Sequence, residues 1–303
     1  MDEQKSTPNQ TIRFQQYASG DWKTISGEVI TEKPVSLTVN GEVWLTFMCT
    51  PVDLEALAVG FLFNEGFIQT MAEVADVRTC ENQENIDVWL NQSVEKPKQW
   101  RRTTGCTGGV TSISTEMNGK PVLNGGMLTP QQVCELIAQL FDAQDLYRKS
   151  GGVHTSALSD GERILITAED IGRHNTLDKI AGKLLLEGLR PERRILLTTG
   201  RISSEMLQKA GRINASILIT RTSPSSLSIE MAERQGITLI GYARRSQFNL
   251  YTHPERMVTH PERMVTHSEG LVTHPDGMVN HPGQMANSLA SENRLDPTEN
   301  ESI

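Results

Sequence analysis

The stretch Gly151–Tyr242, GGVHTSALSDGERILITAEDIGRHNTLDKIAGKLLLEGLRPERRILLTTGRISSEMLQKAGRINASILITRTSPSSLSIEMAERQGITLIGY, decides the fold. Val153–Leu158 and Arg163–Thr167 read as short strands joined by Ser159-Asp160-Gly161, a turn composition that reverses the chain. Beyond them the pattern predicts a helix over about 175–187, a strand over 194–199, a helix over 203–213 and a strand over 216–220. A helix over 224–235 and a strand over 237–242 complete it, with Ser223-Pro224 as a cap-plus-proline helix start. Strands that alternate with helices of this length bury both faces, so the sheet must carry helices on each side. The fold class is α/β.

Working outward, Thr129 at a cap, Pro130 at the first helical position and Gln132 at the capping-box position predict a helix. Its apolar stripe is Leu136, Ile137, Leu140 and Phe141. Further upstream, Pro34–Val39, Asn40-Gly41 and Glu42–Met48 read as a hairpin, because Asn-Gly supplies the positive φ angles of a tight turn. Asp53 can cap a helix through Leu54–Leu62 that stops near Gly66, and Ile86–Leu90 reads as a further strand. The expected organisation is a polar arm over 1–33, a smaller N-terminal α+β domain over 34–128, and a helix plus α/β domain over 129–250. The apolar N-terminal helix makes a homodimer one expected assembly.

The segment 251–303 differs in kind. His253, His260, His267, His274 and His281 recur every seven residues, but Pro254, Pro261, Pro275 and Pro282 would break a coiled coil. A duplicated low-complexity extension is expected, without a metal site, since imidazoles seven residues apart on a flexible chain bind weakly.

The chain has 303 residues, 37% hydrophobic and 22% charged, in the range of a globular protein. Its net charge of −8 argues against general nucleic-acid binding. From Tyr251 onward eight acidic residues stand against three basic ones, so the tail carries −5 and the preceding 250 residues only −3. An anion-binding pocket in the body is therefore compatible with the total. No segment approaches the apolar length of a membrane helix and none reads as a signal peptide, so a cytoplasmic protein is expected. Cys49, Cys80, Cys106 and Cys134 form no CxxC pair, which removes a zinc ribbon and a thioredoxin-like couple.

Cys106 lies between glycines, in Arg101-Arg102-Thr103-Thr104-Gly105-Cys106-Thr107-Gly108-Gly109. Nearby positive charge lowers a thiol pKa, and glycines let a bulky partner approach the sulfur. A nucleophile and a spacer cysteine both fit this context. Cys49 ends an apolar strand and Cys134 lies in an amphipathic helix, so both read as structural; Cys80 is ambiguous. His154, beside Gly151-Gly152, fits a proton donor, a ligand or a packing group.

Glu169-Asp170-Ile171-Gly172-Arg173-His174-Asn175-Thr176-Leu177-Asp178-Lys179 is densely polar where a strand meets a helix. Helix N-termini there favour anions, so Arg173 and His174 suit a phosphate better than a solvated helix entrance capped by Asn175. Thr199-Gly200-Arg201-Ile202-Ser203-Ser204 is a second such turn. After the last strand, Tyr242, Ala243, Arg244, Arg245, Ser246 and Gln247 could hold a nucleotide by ion pairs and stacking. No Walker A or GxGxxG sequence occurs.

These blocks, from EKPVSLTVNGEVWLTFMCTPVDLEALAVGFLFNEGFI through EDIGRHNTLDK to GYARRSQFNLYTHP, resemble the formate dehydrogenase accessory sulfurtransferases over about residues 30–257. The resemblance implies a cytidine-deaminase-like α/β domain. It implies a sulfur carrier that takes sulfur from a cysteine desulfurase as a persulfide and passes it to the molybdenum cofactor, molybdenum bis(molybdopterin guanine dinucleotide). The recipient would be formate dehydrogenase. Cys106 falls on the family's persulfide cysteine, and Tyr242 to Gln247 on its cofactor-binding segment; GDP would mimic the cofactor's guanosine end. Where many members show CxxC, this chain has Cys106-Thr107-Gly108-Gly109, so a resolving thiol beside the persulfide finds no support.

Two other readings remain. A zinc nucleobase hydrolase needs H-x-E followed by P-C-x-x-C, whereas His154-Thr155-Ser156 lacks the glutamate and no paired cysteines follow. A non-catalytic cofactor chaperone would bind the dinucleotide without carrying sulfur. The tail generates one prediction. Deleting residues 258–303 is expected to leave sulfur transfer and the thermal midpoint nearly unchanged, because proline-interrupted repeats build no core. A large loss in either measurement would make the tail an integral element.

Overall fold

A computed structural model describes residues 7–98, 100–102, 110–111 and 126–258, with residues 101, 102 and 110 described by backbone alone. Cys106 and the repeats after 258 lie outside the described residues.

The chain begins with β1 (Asn9–Ala18) and β2 (Asp21–Ile30), an antiparallel hairpin that pairs only with itself. The sequence pattern predicts a loose arm here, and the difference has a local cause. Ser19 and Gly20 both take positive φ, 53° and 91°, making a tight turn between ten-residue strands. Both faces of the ribbon are largely exposed, so no apolar alternation marks it in the sequence.

β3 (Lys33–Val39) and β4 (Glu42–Cys49) form the expected hairpin, with Asn40 and Gly41 at φ 48° and 84°. α1 (Leu54–Asn64), β5 (Val74–Thr79) and β6 (Asn85–Leu90) follow, giving a four-stranded sheet in the order β4-β3-β6-β5. Two short strands, β7 (Arg101–Arg102) and β8 (Val110–Thr111), then pair antiparallel and close the base of the segment that holds Cys106.

After them come α2 (Pro130–Asp142), α3 (Asp145–Ser150), β9 (His154–Ser159), β10 (Ile164–Asp170), α4 (Arg173–Leu186) and β11 (Ile195–Thr198). The unit ends with α5 (Ser204–Arg212), β12 (Ile217–Thr220), α6 (Ser226–Gln235), β13 (Thr238–Gly241) and β14 (Asn249–Leu250). The six strands of this part are ordered β10-β9-β11-β12-β13-β14, with β11, β12 and β13 parallel. α2 starts as its sequence predicts: Thr129 accepts from Gln132 N, and the Gln132 side chain answers the cap backbone. α6 starts later than predicted. Ser225 is the cap and accepts from Ser228 N, while Ser223-Pro224 stays outside the helix.

Alternation along the buried strands divides the core. Leu158, Leu196, Leu218 and Leu239 face α4, α5 and α6, whereas Ala157, Ile195, Leu197, Ile217, Ile219 and Ile240 face α2. Helices thus cover both faces, as expected. Met257 and Val258 are buried as well, Val258 N donating to Leu128 O at 2.9 Å. The deletion that isolates the repeats therefore begins after Val258, not at it. No helix among the described residues is long and apolar enough to cross a membrane.

α1 joins the two sheets. It is buried nearly all round, packing on the four-stranded sheet with Leu57, Phe61 and Leu62 and crossing α4 on its other side. The apolar surface that suggested a homodimer is thus consumed inside the chain. The crossing is close because glycine meets backbone on both helices. A Cβ at Gly60 would lie 1.7 Å from Asp178 O, and one at Gly182 would lie 1.9 Å from Ala56 O. Asp53 stands at the N-cap of α1 with φ 52°, but its carboxylate makes no cap and instead meets Lys183 Nζ of α4 at 2.7 Å. Gly182→Ala and Gly60→Ala should each destabilise by about 3 kcal/mol or more in urea unfolding, since neither backbone can yield without separating the layers. A loss below about 1 kcal/mol would mean the helices move apart freely.

Candidate functional site at the strand ends

β11 and β12 pair in register from Ile195↔Ile217 to Thr198↔Thr220, and β13 aligns beside them through Ile219↔Ile240. Their C-terminal ends therefore share one edge of the sheet. β9 runs the other way beside β11 (Thr198↔Ser156), and β10 closes on it (Asp170↔His154). The start of β9 and the end of β10 join the same edge. His154, Arg173, Arg201 and the Tyr242–Gln247 turn, distant in sequence, are brought to this edge. Open α/β sheets bind ligands outside the carboxyl ends of their strands.

Threonines at the strand ends set the loops. Thr198 Oγ1 accepts from Gly200 N and from Ser156 Oγ, and Thr220 Oγ1 donates to Gly200 O at 2.7 Å. Much of the polar density of the Glu169–Lys179 block has a structural use. Glu169 accepts from Leu146 N, Tyr147 N and Thr155 Oγ1, holding the start of α3. Asp170 accepts from Thr50 N, Gly172 N, Asn175 Nδ2 and Lys179 Nζ, the last at 2.6 Å with both side chains fully buried. Asn175 is no helix cap, and the helix entrance is buried instead of solvated.

Asp178 meets Lys209 at 2.6 Å and accepts from Asn64 Nδ2. Burial pushes the Asp178 carboxyl up and Lys209 opposes it, with Glu65 adding a smaller upward push. Glu65 accepts from Thr111 Oγ1 at 3.0 Å, so a buried hydrogen bond ties Thr111 of β8 to the C-terminal end of α1.

Arg173 and His174 occupy the first turn of α4. Arg173 and Arg201 line a cavity of about 470 Å³ beside the start of α5. His154 lines a second cavity of about 400 Å³, with Tyr147 and Arg221. Arg221 is a residue that sequence reasoning missed. It follows β12 in the same strand-to-helix position as the loops singled out, a signal that could have found it. Its guanidinium lies 5.2 Å from the Phe141 ring, and its carbonyl accepts from Arg244 Nη1 at 3.2 Å.

The Tyr242–Gln247 segment is a turn in which Arg244 N donates to Gln247 O. Tyr242, Arg244, Arg245, Ser246 and Gln247 are exposed, while Ala243 is buried in the core facing α2 and presents nothing to a ligand. Cys49 is buried in β4, and burial, followed by the Asp170 charge, pushes its thiol up to about 12. Cys80 is half-buried, its sulfur accepting from Glu84 N and Asn85 N.

His174 is 3% exposed, and neither ring nitrogen has a hydrogen-bond partner among the described residues. Burial, then the charges of Lys209, Arg173 and His154, hold it well below the ordinary value of 6.5. His154 is shifted the same way, chiefly by burial. Between the depressed value and 6.5 the unfolded chain binds a proton that the folded chain refuses, so stability is full above about 6.5 and falls with pH below it. Asp178, raised from 3.8, acts in the opposite sense at acid pH. His174→Gln should therefore flatten the loss of urea-unfolding stability below pH 6.5. An unchanged slope would show that His174 is not the buried neutral group responsible.

Comparison with known proteins bears on most of the chain. The FdhD/NarQ family model matches residues 30–258. Sulfur carrier protein FdhD of Bacillus subtilis (strain 168) is 34% identical over 247 residues, covering 80% of this chain and 94% of that protein. The Staphylococcus aureus (strain MRSA252) protein of the same name is 33% identical over 248 residues, with the same coverage. A crystal structure from Desulfotalea psychrophila, described as a formate dehydrogenase accessory protein, superposes with a TM-score of 0.71 at 29% identity. That match spans 83% of this chain and 100% of the other. The chain belongs to the FdhD/NarQ family.

Proposed function

We propose that this chain is a cytoplasmic sulfur carrier required for formate dehydrogenase activity, with Cys106 as the sulfur-bearing thiol. The observation that carries the reading is the row of guanidiniums from Arg173, Arg201, Arg221 and Arg244 along one sheet edge, in a chain whose relatives are named sulfur carrier proteins. In the first step the Cys106 thiolate attacks the outer sulfur of a cysteine desulfurase persulfide. A sulfur–sulfur bond forms on Cys106 as the desulfurase thiolate leaves, with no net change in oxidation state. The carrier then gives that outer sulfur to the molybdenum cofactor before the cofactor enters formate dehydrogenase: the sulfur–sulfur bond breaks, Cys106 leaves as thiolate, and a reduced acceptor supplies the two electrons that take the sulfane sulfur to sulfide.

The cofactor, molybdenum bis(molybdopterin guanine dinucleotide), is the acceptor substrate, and its phosphates match the chemistry of the edge. Arg244 and Arg245, exposed on the turn after β13, are first in rank for phosphate contacts, with Tyr242, Ser246 and Gln247 beside them. His154, Arg173, His174 and Arg201 form the second rank. GDP is the corresponding mimic. A cytidine-deaminase-like assignment of the α/β layers belongs to the same reading, supported by the family resemblance and by a mixed sheet with helices on both faces.

A chaperone that binds the dinucleotide without carrying sulfur is the alternative, and Cys106 separates the two. After incubation with a desulfurase and cysteine, mass spectrometry should find one added sulfur atom on Cys106. Cys106→Ala should abolish sulfur transfer without altering the thermal midpoint. Wild-type loading of the alanine variant, at Cys80 for instance, would overturn the assignment.

A further inference from the structure

We propose that the groove occupied by residues 252–258 is a docking site for the heptapeptide Thr-His-Pro-Glu-Arg-Met-Val, and that the second copy of this heptapeptide, residues 259–265, is the alternative occupant in the same chain. The inference is independent of the sulfur-carrier reading.

The first copy is held along its whole length. Thr252 is 2% exposed, and its Oγ1 accepts from Leu239 N and donates to Ile237 O. His253 Nε2 lies 3.0 Å from Glu233 O, near the end of α6. Pro254 opens a single 3-10 turn, Pro254–Arg256. Arg256 Nη1 donates to Gly236 O and to Thr238 Oγ1, which flank the short connection between α6 and β13. Met257 is buried on the α2 side of the core. Leu128 N donates to Arg256 O at 3.0 Å, and Val258 N donates to Leu128 O at 2.9 Å. The groove also imposes a backbone shape, since His253 takes φ 52°, a region that residues other than glycine disfavour.

Residues 259–265 repeat residues 252–258 without a change and follow them directly. The later repeats lose the anchors. Gly270, Gly277 and Gln284 stand where the first copy has Arg256, and Ser268 replaces the turn-opening proline in the third repeat. Of the downstream copies, only the second carries the threonine, proline, arginine and methionine together.

A groove cannot tell identical peptides apart by their side chains. The two registers differ only in the chain that leads from Tyr251 to the occupant. The first copy follows Tyr251 directly, whereas the second requires seven residues to loop out. Closing such a loop disfavours the shifted register by roughly twentyfold. β14 is the edge strand of its sheet and Asn249 is exposed, so a loop leaving there meets solvent. The short tether also gives the second copy a high effective concentration, which favours it over the tail of a neighbouring chain. The first copy is the resident, and the second takes its place when the first is disabled.

The test is amide hydrogen exchange on the full chain. The Leu128 N–H reports an occupied groove, and the Val265 N–H reports the second copy in it. Arg256→Ala/Met257→Asp disables the first copy, because it removes charged hydrogen bonds and would bury a carboxylate. In this variant Leu128 protection should fall by roughly twentyfold, the cost of the loop, while Val265 becomes protected. Arg263→Ala/Met264→Asp alone should match the unaltered chain at Leu128. With both copies altered, Leu128 protection should fall by a further factor of about ten or more. An unprotected Val265 in the first-copy variant would overturn the proposal. So would Leu128 protection no higher there than with both copies altered. Val265 protection that rises with protein concentration would assign the groove to a neighbouring chain and overturn the in-chain exchange. The Val265 reading decides the case whether or not the doubly altered chain folds.

Discussion

The close crossing of α1 over α4 is the contact on which the remaining structure depends. Gly60 and Gly182 remove the side chains that would hold the helices apart, so each helix packs on the other's backbone. α4 is left with the six-stranded sheet on one side and α1 on the other, and almost every side chain from Arg173 to Leu184 is buried. The charged side chains Asp178 and Lys179 of α4 are paired in that place. Lys179 reaches Asp170 and the carbonyls of Thr50 and Glu169, and Lys209 comes from α5 to meet Asp178. Such pairs add little net stability over apolar packing, but losing one partner leaves a buried charge, so they fix which helix lies against which.

That constraint determines the electrostatics of the sheet edge. α4 enters at Gly172, which Asp170 holds through its backbone N–H, and Arg173 leaves the entrance toward the cavity beside α5. His174 turns inward among cations, where only a neutral ring is tolerated. The edge therefore combines arginines with two imidazoles whose pKa values burial lowers. An anionic ligand at this edge meets the guanidiniums of Arg173 and Arg201.

The edge is divided by the loop after β12. On one side Arg173, Arg201 and the serines of α5 and α6 surround one cavity; on the other His154, Tyr147 and Arg221 surround a second. Arg244 reaches back to the Arg221 carbonyl, so the turn after β13 is tied to that loop. β8 is joined to the same framework by the Thr111–Glu65 hydrogen bond at the end of α1, the helix that crosses α4. A ligand spread along the edge would thus touch several elements that one helix crossing holds in place.

The sequence by itself determined the order of elements, because short apolar runs and amphipathic helices alternate from Val153 to Tyr242. It determined the Asn40-Gly41 turn and the Thr129–Gln132 cap, which depend only on local backbone preferences. It also pointed to Arg173 and Arg201, since a guanidinium after a strand is visible without knowing which strands are neighbours. Only the tertiary structure decided what those residues face. Asp170, Asn175, Asp178 and Lys179 look like ligand groups in sequence, yet their partners lie up to 129 residues away and are met through packing. Arg221 gained its place from the parallel register of β11, β12 and β13, and Ala243 lost its place by turning toward α2. The first hairpin was invisible because neither of its faces is buried enough to impose alternation. Local patterns record the covalent neighbours of a residue; burial and pairing belong to contacts that exist only after the layers have closed.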